Sequence, residues 1–274
     1  MENELMANID QVSISTSVFN RVISAGAPCD ACIAMAAEAG YRCVEIARAL
    51  DWGLTEEVAA VKKAGLQVWA VHGILGEGSI SSDPAVRKAA VERAYRQAAE
   101  CADFAPCPLV EHYHDRDFDP ATTANFRRSV EELLEKVSPL GFTVCIETAP
   151  YKPEVNVRYP DSREIAAFVR SFARDDLQLI VDFNHSNLRE NLPDVARITA
   201  GLVKSVHISQ NMGQRENHLA PDDPAGVIDL KAAFEAFRKC GYTGPCNLEF
   251  VLPGPPTAAR LAEIREYMEG MLFR

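Results

Sequence analysis

No stretch of the 274 residues approaches the ~20 consecutive apolar residues that a membrane-spanning helix needs. An excess of base is also missing: 28 Lys and Arg stand against 39 Asp and Glu, a formal charge of −11. Nucleic-acid binders concentrate Lys and Arg on one face, so this balance argues against a phosphate-backbone footprint. The opening MENELMANID carries acid where a signal peptide would carry a basic stretch and then an apolar run. The eight cysteines are scattered through a chain too long to need disulfide staples, which fits reduced thiols. A cytoplasmic protein with neither a membrane nor a nucleic-acid partner is expected. Low-complexity tracts and Ser/Gly linkers are absent, so nothing marks a domain boundary. The expectation is one domain over residues 1–274, with residues 1–10 as a flexible tail.

What recurs is a short β-branched run followed by a longer amphipathic stretch. The spacing predicts strands at Val12–Ser15, Cys43–Ile46, Gln67–His72, Leu109–Tyr113, Thr143–Glu147, Leu177–Phe183, Val203–Ile208 and Asn247–Val251. Helical spacings of three and four fill Pro84–Phe104, Pro120–Ser138, Asp161–Phe172 and Leu230–Cys240. Gly40, Gly65, Gly141 and Gly241 stand where helices close, a position that favours a left-handed residue. Eight alternations of this kind predict an α/β fold, a single (β/α)8 TIM barrel, over a doubly wound open sheet. The open sheet usually announces a nucleotide site, and the first turn, SISTSVFNRVISAG, holds no G-x-G-x-x-G.

In such a barrel the chemistry sits at the C-terminal ends of the strands. Seven of the eight runs end in or beside an acid or an imidazole: Glu45, His72, His112, Glu147, Asp182, His207 and Glu249. A buried carboxylate or imidazole without a partner costs several kcal/mol. Several converging on one mouth need a shared counter-charge, and few basic residues lie at strand ends, so a divalent cation is the economical solution. Glu147, Asp182, His207 and Glu249, from four successive strands, are the candidate ligands. Each taken alone reads equally as a paired acid or a satisfied core histidine. Three carboxylates and one imidazole suit manganese best, with Mg, Co or Zn as alternatives to a thiolate-rich zinc site.

The motifs IETAP (Glu147), DFNH (Asp182 and His185), VHISQN (His207) and GVIDLKAAFEAFRKCGYTGPCNLEF (Glu249) resemble the xylose-isomerase-like barrel superfamily. That group takes in sugar isomerases, ketose 3-epimerases, hydroxypyruvate isomerases, inosose dehydratases and an apurinic endonuclease branch. The resemblance covers nearly the whole chain. It implies that Glu147 and Glu249 both hold the metal and shuttle a proton through an enediolate, making the chain a metal-dependent isomerase or epimerase of a ketose or related polyol. It further implies substrate contacts from His72, His185 and Arg215, although the loop QNMGQRENHLAPDDPAG departs from the pattern and sets Arg215 far from His207. A small-molecule sugar or polyol is the expected partner, and a homo-oligomer is common among similar proteins.

Other readings stay open. A lyase that expels a β-hydroxyl shares the enolisation step. A nuclease with three metals would draw His72, His112, His218 and the RENH stretch into ligation, against the negative net charge. A non-catalytic sugar-binding barrel would leave the Glu147/Glu249 pair without a purpose. His112 and His114, in EHYHDRD, read either as substrate contacts or as solvated loop residues, and Glu45 as a strand-two acid with a hydrogen-bonding role. Cys29-x-x-Cys32 lacks the surroundings of a redox or zinc motif. Trp52 and Trp69 are expected to pack in the core.

Overall fold

Eight strands pair in parallel and in chain order, and β1 bonds to β8 to close the ring. They are β1 (Val12–Ser15), β2 (Cys43–Ile46), β3 (Gln67–His72), β4 (Cys107–His112), β5 (Phe142–Glu147), β6 (Leu177–Asp182), β7 (Val203–Ile208) and β8 (Cys246–Leu248). The helices among the described residues are α1 (Asn20–Ser24), α2 (Cys29–Glu38), α3 (Leu54–Ala64), α4 (Pro84–Glu100), α5 (Pro120–Val137), α6 (Ser162–Arg170), α7 (Phe183–Asn187), α8 (Leu192–Ile198), α9 (Leu230–Lys239) and α10 (Ala258–Leu272). This computed structural model describes residues 12–114, 119–149 and 160–272. The expected tail over 1–10 lies outside them. The predicted (β/α)8 barrel is the observed fold, and no helix among the described residues is long and apolar enough to cross a membrane.

Boundaries move where local bonding competes with the repeat. The last strand stops at Leu248 instead of reaching Val251, because the backbone turns to the loop after β7: Val251 N–H donates to the carbonyl of His218 at 2.7 Å. Glu249 therefore stands just past the strand, tied by its own N–H to the carbonyl of Ile208 at 3.1 Å. The α4 helix ends at Glu100, and a tight 3-10 turn over Ala102–Phe104 completes the predicted stretch. Helix starts are capped as their sequences suggest. Asp83 and Asp119 accept N–H bonds ahead of Pro84 and Pro120, and Asp161 forms a reciprocal capping box with Glu164. Gly65 closes α3 at φ +68°, where an L side chain is disfavoured.

Outward-facing strand residues such as Ile14, Val44, Val71, Leu109, Ile146, Val181 and Ile208 join the helices in one apolar core. The barrel interior is divided. On β3 to β6, Ala70, Val110, Cys145 and Ile180 form a small separate apolar cluster with Trp69 against it. On β1, β2, β7 and β8, Ser13, Ser15, Glu45, Ser205, His207 and Asn247 are all fully buried. Trp69 ties the two halves, its indole N–H donating to Ser205 Oγ at 2.9 Å from β3 to β7 across the ring. Trp52, expected in the core, is instead 68% exposed, because it lies in the turn after β2 rather than on a strand. Cys29 and Cys32 are buried free thiols at the start of α2, and burial raises both pKa values, so they pack as small apolar groups.

One buried acid braces the first two strands. Glu57, on α3, is fully buried and accepts a hydrogen bond from the Thr16 hydroxyl, which itself accepts the Ala47 N–H at 2.9 Å. Desolvation pushes the Glu57 carboxyl up from 4.5 to about 7, against the opposing pull of Thr16 and Arg48. The folded state keeps this proton where the unfolded chain has lost it, so stability falls as pH rises from about 4.5 to about 7 and then levels. Replacing the acid with a neutral isostere removes that loss, which is on the order of 3 kcal/mol at 1.36 kcal/mol per pKa unit. Glu57→Gln is thus expected to gain stability over the parent at pH 8 but not at pH 4, read by urea denaturation at both. Equal effects at the two pH values would contradict this account.

Candidate active site

The strand ends place seven ionisable side chains around one mouth. Laterally paired residues set the spacing: His112 pairs with Glu147, Asp182 with His207, and His207 with Asn247. His207 is at the centre and fully buried. Its Nδ1 lies 3.1 Å from Glu147 Oε1 and 3.0 Å from Glu249 Oε2, while its Nε2 lies 2.9 Å from Glu45 Oε2. Burial works against a charge on this ring. The carboxylates of Glu45, Glu249 and Glu147 overcome it and hold its pKa well above the ordinary value. Glu147 is correspondingly held well below the usual carboxylate range, its desolvation outweighed by His207 and His112. Glu249 is likewise held down at about 2, His207 again overcoming burial. The Glu147 side chain is 1% exposed and that of Glu249 18%, which makes Glu249 the more open of the pair.

The D-x-x-H motif explains itself locally. Asp182 is the N-cap of α7, and its Oδ1 accepts the His185 N–H at 3.1 Å. This bond aims Oδ2 into the mouth. The His185 Nδ1 donates to the carbonyl of Thr148 at 2.8 Å, since a carbonyl only accepts, and this leaves Nε2 facing Asp182 Oδ2 at 3.6 Å and Glu216 Oε1 at 3.5 Å. Burial lowers and Asp182 raises the His185 pKa, with a net rise to about 10. Thr148, the threonine of IETAP, ties the pieces together: its hydroxyl accepts the backbone N–H of Asp182 at 3.0 Å.

His72 and His112 close the other side. His112 Nε2 is 3.0 Å and His72 Nε2 3.7 Å from Glu147 Oε2. The His72 ring stacks on His207 at 5.9 Å and meets His112 edge-on at 4.9 Å. His114 lies further out, its ring 6.1 Å from that of His112. Arg215 is exposed in the loop after β7.

That loop carries the RENH stretch, considered from the sequence only under the nuclease reading, back to the mouth. It folds back through an antiparallel bridge between Gln210 and Leu219, and the Gln210 side chain bonds the backbone of Ile228 at 2.8 Å and 2.9 Å. The excursion carries Glu216 inward to lie 3.0 Å from His218 Nε2 and 3.5 Å from His185 Nε2. Both histidines overcome desolvation to hold its pKa far below the ordinary value, and Glu216 in turn raises His218 to about 9 against burial. His218 has φ +46°, a left-handed conformation that costs a non-glycine residue of order 1 kcal/mol or more. The stretch RENH was visible as acid and imidazole, but nothing in its order showed that it bends back onto the barrel.

The donor set fits a cation. Ligand atoms of Glu147, Asp182, His207 and Glu249, the four candidates read from the strand ends, all lie within 4.8 Å of one another. Glu147 Oε2, Asp182 Oδ2 and His185 Nε2 are buried and face ionisable neighbours at 3.0 to 3.6 Å without completing a well-aligned hydrogen bond, which is costly unless something else satisfies them. Three further groups adjoin at the same spacing: His72, His112 and Glu147; His72, His207 and Glu249; Asp182, His185 and His218. Metal binding exchanges protons for the ion, so imidazoles held protonated by carboxylates are the groups a divalent cation would displace protons from.

A buried carboxyl behind β4 sets the height of His72. Glu111 Oε2 accepts the Leu75 N–H at 2.7 Å, and burial pushes the Glu111 pKa up to about 8. A Cβ on Gly73 would fall 2.2 Å from Glu111 Oε1 and 2.8 Å from the carbonyl of Val110, and that carbonyl cannot step aside. Gly73→Ala is therefore expected to cost about 1–3 kcal/mol of stability and to displace His72. Urea denaturation, together with the histidine ring NMR signals, would register both, and an unperturbed variant would refute the tight approach.

Comparison with known proteins bears first on the fold. The structure superimposes on a xylose isomerase domain protein from Alicyclobacillus acidocaldarius with a TM-score of 0.74 and 20% identity, covering 96% of this chain and 98% of that one. D-allulose 3-epimerase from Methylomonas sp., in complex with D-allulose, gives 0.74 and 18%, covering 95% and 96%. An AP endonuclease, family 2, from Brucella melitensis gives 0.75 and 20%, covering 94% and 98%. No curated protein is similar enough in sequence to match. The sequence family described as xylose isomerase-like TIM barrel matches residues 33–271, nearly the whole barrel. The chain belongs to the xylose isomerase-like TIM barrel family.

Proposed function

We propose that this chain is a divalent-metal-dependent isomerase or epimerase acting on a ketose or a related polyol. The observation that carries the reading is the meeting of Glu147 and Glu249 at one atom, His207 Nδ1, with Asp182 completing the group. Glu147, Asp182, His207 and Glu249 would hold the ion, and their oxygen-rich composition suits manganese. When bound, the ion would polarise a carbonyl oxygen and make the neighbouring C–H acidic. The protein's own part is proton transfer at that carbon. Glu147 and Glu249 reach the mouth from β5 and from the end of β8, both held ionised, and one takes the proton while the same or the other returns it. His185, His72 and, from the exposed loop, Arg215 are the groups offered to substrate oxygens. The epimerase likeness supports a sugar as the substrate class. A lyase would share the first proton transfer and then lose a β-hydroxyl instead of taking the proton back.

A second reading has its own observation. Glu147 and Asp182 each belong to two adjoining ligand groups, and Glu216 stands between His185 and His218. Shared carboxylates of this kind suit two or three ions and hydrolysis of a phosphodiester. The charge of −11 opposes a polyanionic substrate.

Elemental mass spectrometry of protein purified without chelator separates the two. About one Mn, Co, Mg or Zn per chain is expected from the isomerase reading, two or three from the hydrolase reading, and none would remove both. With ketose in D2O, deuterium should enter the carbon next to the carbonyl. At saturating metal, Glu249→Gln should slow this exchange by about 10²–10⁴-fold. Exchange at the parental rate would exclude Glu249 as the proton carrier.

A further inference from the structure

Glu45 is an expensive residue to bury. It sits near the C-terminal end of β2, fully buried, and among the described residues no arginine or lysine pairs with it. Its partners are two: His207 Nε2 at 2.9 Å and Asn247 Nδ2 at 3.1 Å, both on the same oxygen, Oε2. The same oxygen already accepts the Asn247 amide N–H, so it acts as an acceptor and Nε2 of His207 is the donor. Asn247, beside His207 in register on β8, approaches the same oxygen from the neighbouring strand and prevents the carboxylate from swinging away. The other ring nitrogen, Nδ1, faces Glu147 and Glu249. Among the described residues Glu45 belongs to no group of side chains able to share one ion, and its only imidazole contact is the Nε2 side of His207.

We propose that Glu45, held by Asn247, is a positioning residue that keeps the proton of His207 on Nε2 and so presents the Nδ1 lone pair to the divalent ion. The inference rests on the cation site proposed above. A histidine ligand whose far nitrogen donates to a carboxylate is fixed in tautomer and ring orientation and is the more basic for it. The interior supports this use. On β3 to β6 Ala70, Val110, Cys145 and Ile180 form an apolar cluster, whereas β1, β2, β7 and β8 bury Ser13, Glu45, Ser205 and Asn247, of which Glu45 bonds His207 and Asn247 bonds Glu45. That half of the barrel gives up apolar packing where the ligand must be oriented.

The test uses the full chain, stripped of metal, with Mn²⁺ titrated against its free electron paramagnetic resonance signal and Co²⁺ against its visible spectrum. Glu45→Gln keeps an acceptor without the charge, and Glu45→Ala removes it. Outer partners of metal-bound histidines typically contribute 10–100-fold in affinity, so both variants should weaken binding by about that factor, Ala at least as much as Gln. A residue serving only the fold would instead lower the urea midpoint of the metal-free protein and leave the affinity of the folded fraction unchanged. Long-range proton–nitrogen NMR of the Zn²⁺-loaded parent, assigned with His207→Asn, reads the tautomer without any Glu45 variant having to fold. Weakened affinity with the proton on Nε2 upholds the proposal. Unchanged affinity in both variants, or a proton on Nδ1, overturns it and leaves the cation site standing. A parent chain that binds neither Mn²⁺, Co²⁺ nor Zn²⁺ overturns the cation site and this inference with it.

Discussion

Five carboxylates and five imidazoles share one end of a barrel, and their mutual neutralisation is the constraint on which the rest of the site depends. Glu45, Glu147 and Asp182 are almost wholly buried, and among the described residues no lysine or arginine bonds to any of them. Buried charge is tolerable only when paired and hydrogen-bonded. Without an ion the pairing comes from imidazoles that carry protons, which is why His185, His207 and His218 all have raised pKa values. The arrangement is therefore poised to exchange protons for a cation. Its stability and its affinity for metal are two sides of one electrostatic balance.

Parallel strands make that balance geometrically precise. Side chains alternate along each strand, so one inward residue per strand reaches the mouth at nearly the same height. Local hydrogen bonds then orient each group. Asp182 spends one oxygen capping α7 and keeps the other for the mouth. Thr148 holds both the backbone of Asp182 and the ring of His185. Glu111 fastens the turn behind His72, and the ring at the mouth inherits the rigidity of the sheet.

Family membership leaves a range of chemistry available, because function belongs to the site and not to the barrel. The central group alone suits proton transfer beside a carbonyl. The flanking histidines and Glu216 enlarge it toward a site with several ions. Both readings use Glu147 and Asp182 at the hub, so the number of ions held, and not the identity of the scaffold, distinguishes them. The loop after β7 is the element that tips this choice, since it alone brings Glu216 and His218 to the mouth.

Much of this was legible in the order of residues. Short apolar runs, seven of them ending in Glu, Asp or His, located all eight strands within a few residues, because side-chain alternation and burial act over only a few positions. The four candidate ligands were legible for the same reason, since a charged residue at the end of an apolar strand has few places to go, and the fold brings their side chains together. The partners were not legible. Glu45 meets His207 across 162 positions and Asn247 across 202, and Glu216 reaches His185 only because the loop doubles back through the Gln210–Leu219 bridge. Trp52 looked like core by its type and proved to be rim by its place in a turn. Sequence alone determined the strands, the repeat and the kind of residue at each strand end, all set by local pattern. Closure of the ring decided which of those residues face one another, because contact between strands distant in the chain depends on register and on loop path, and neither is encoded by any short run of residues.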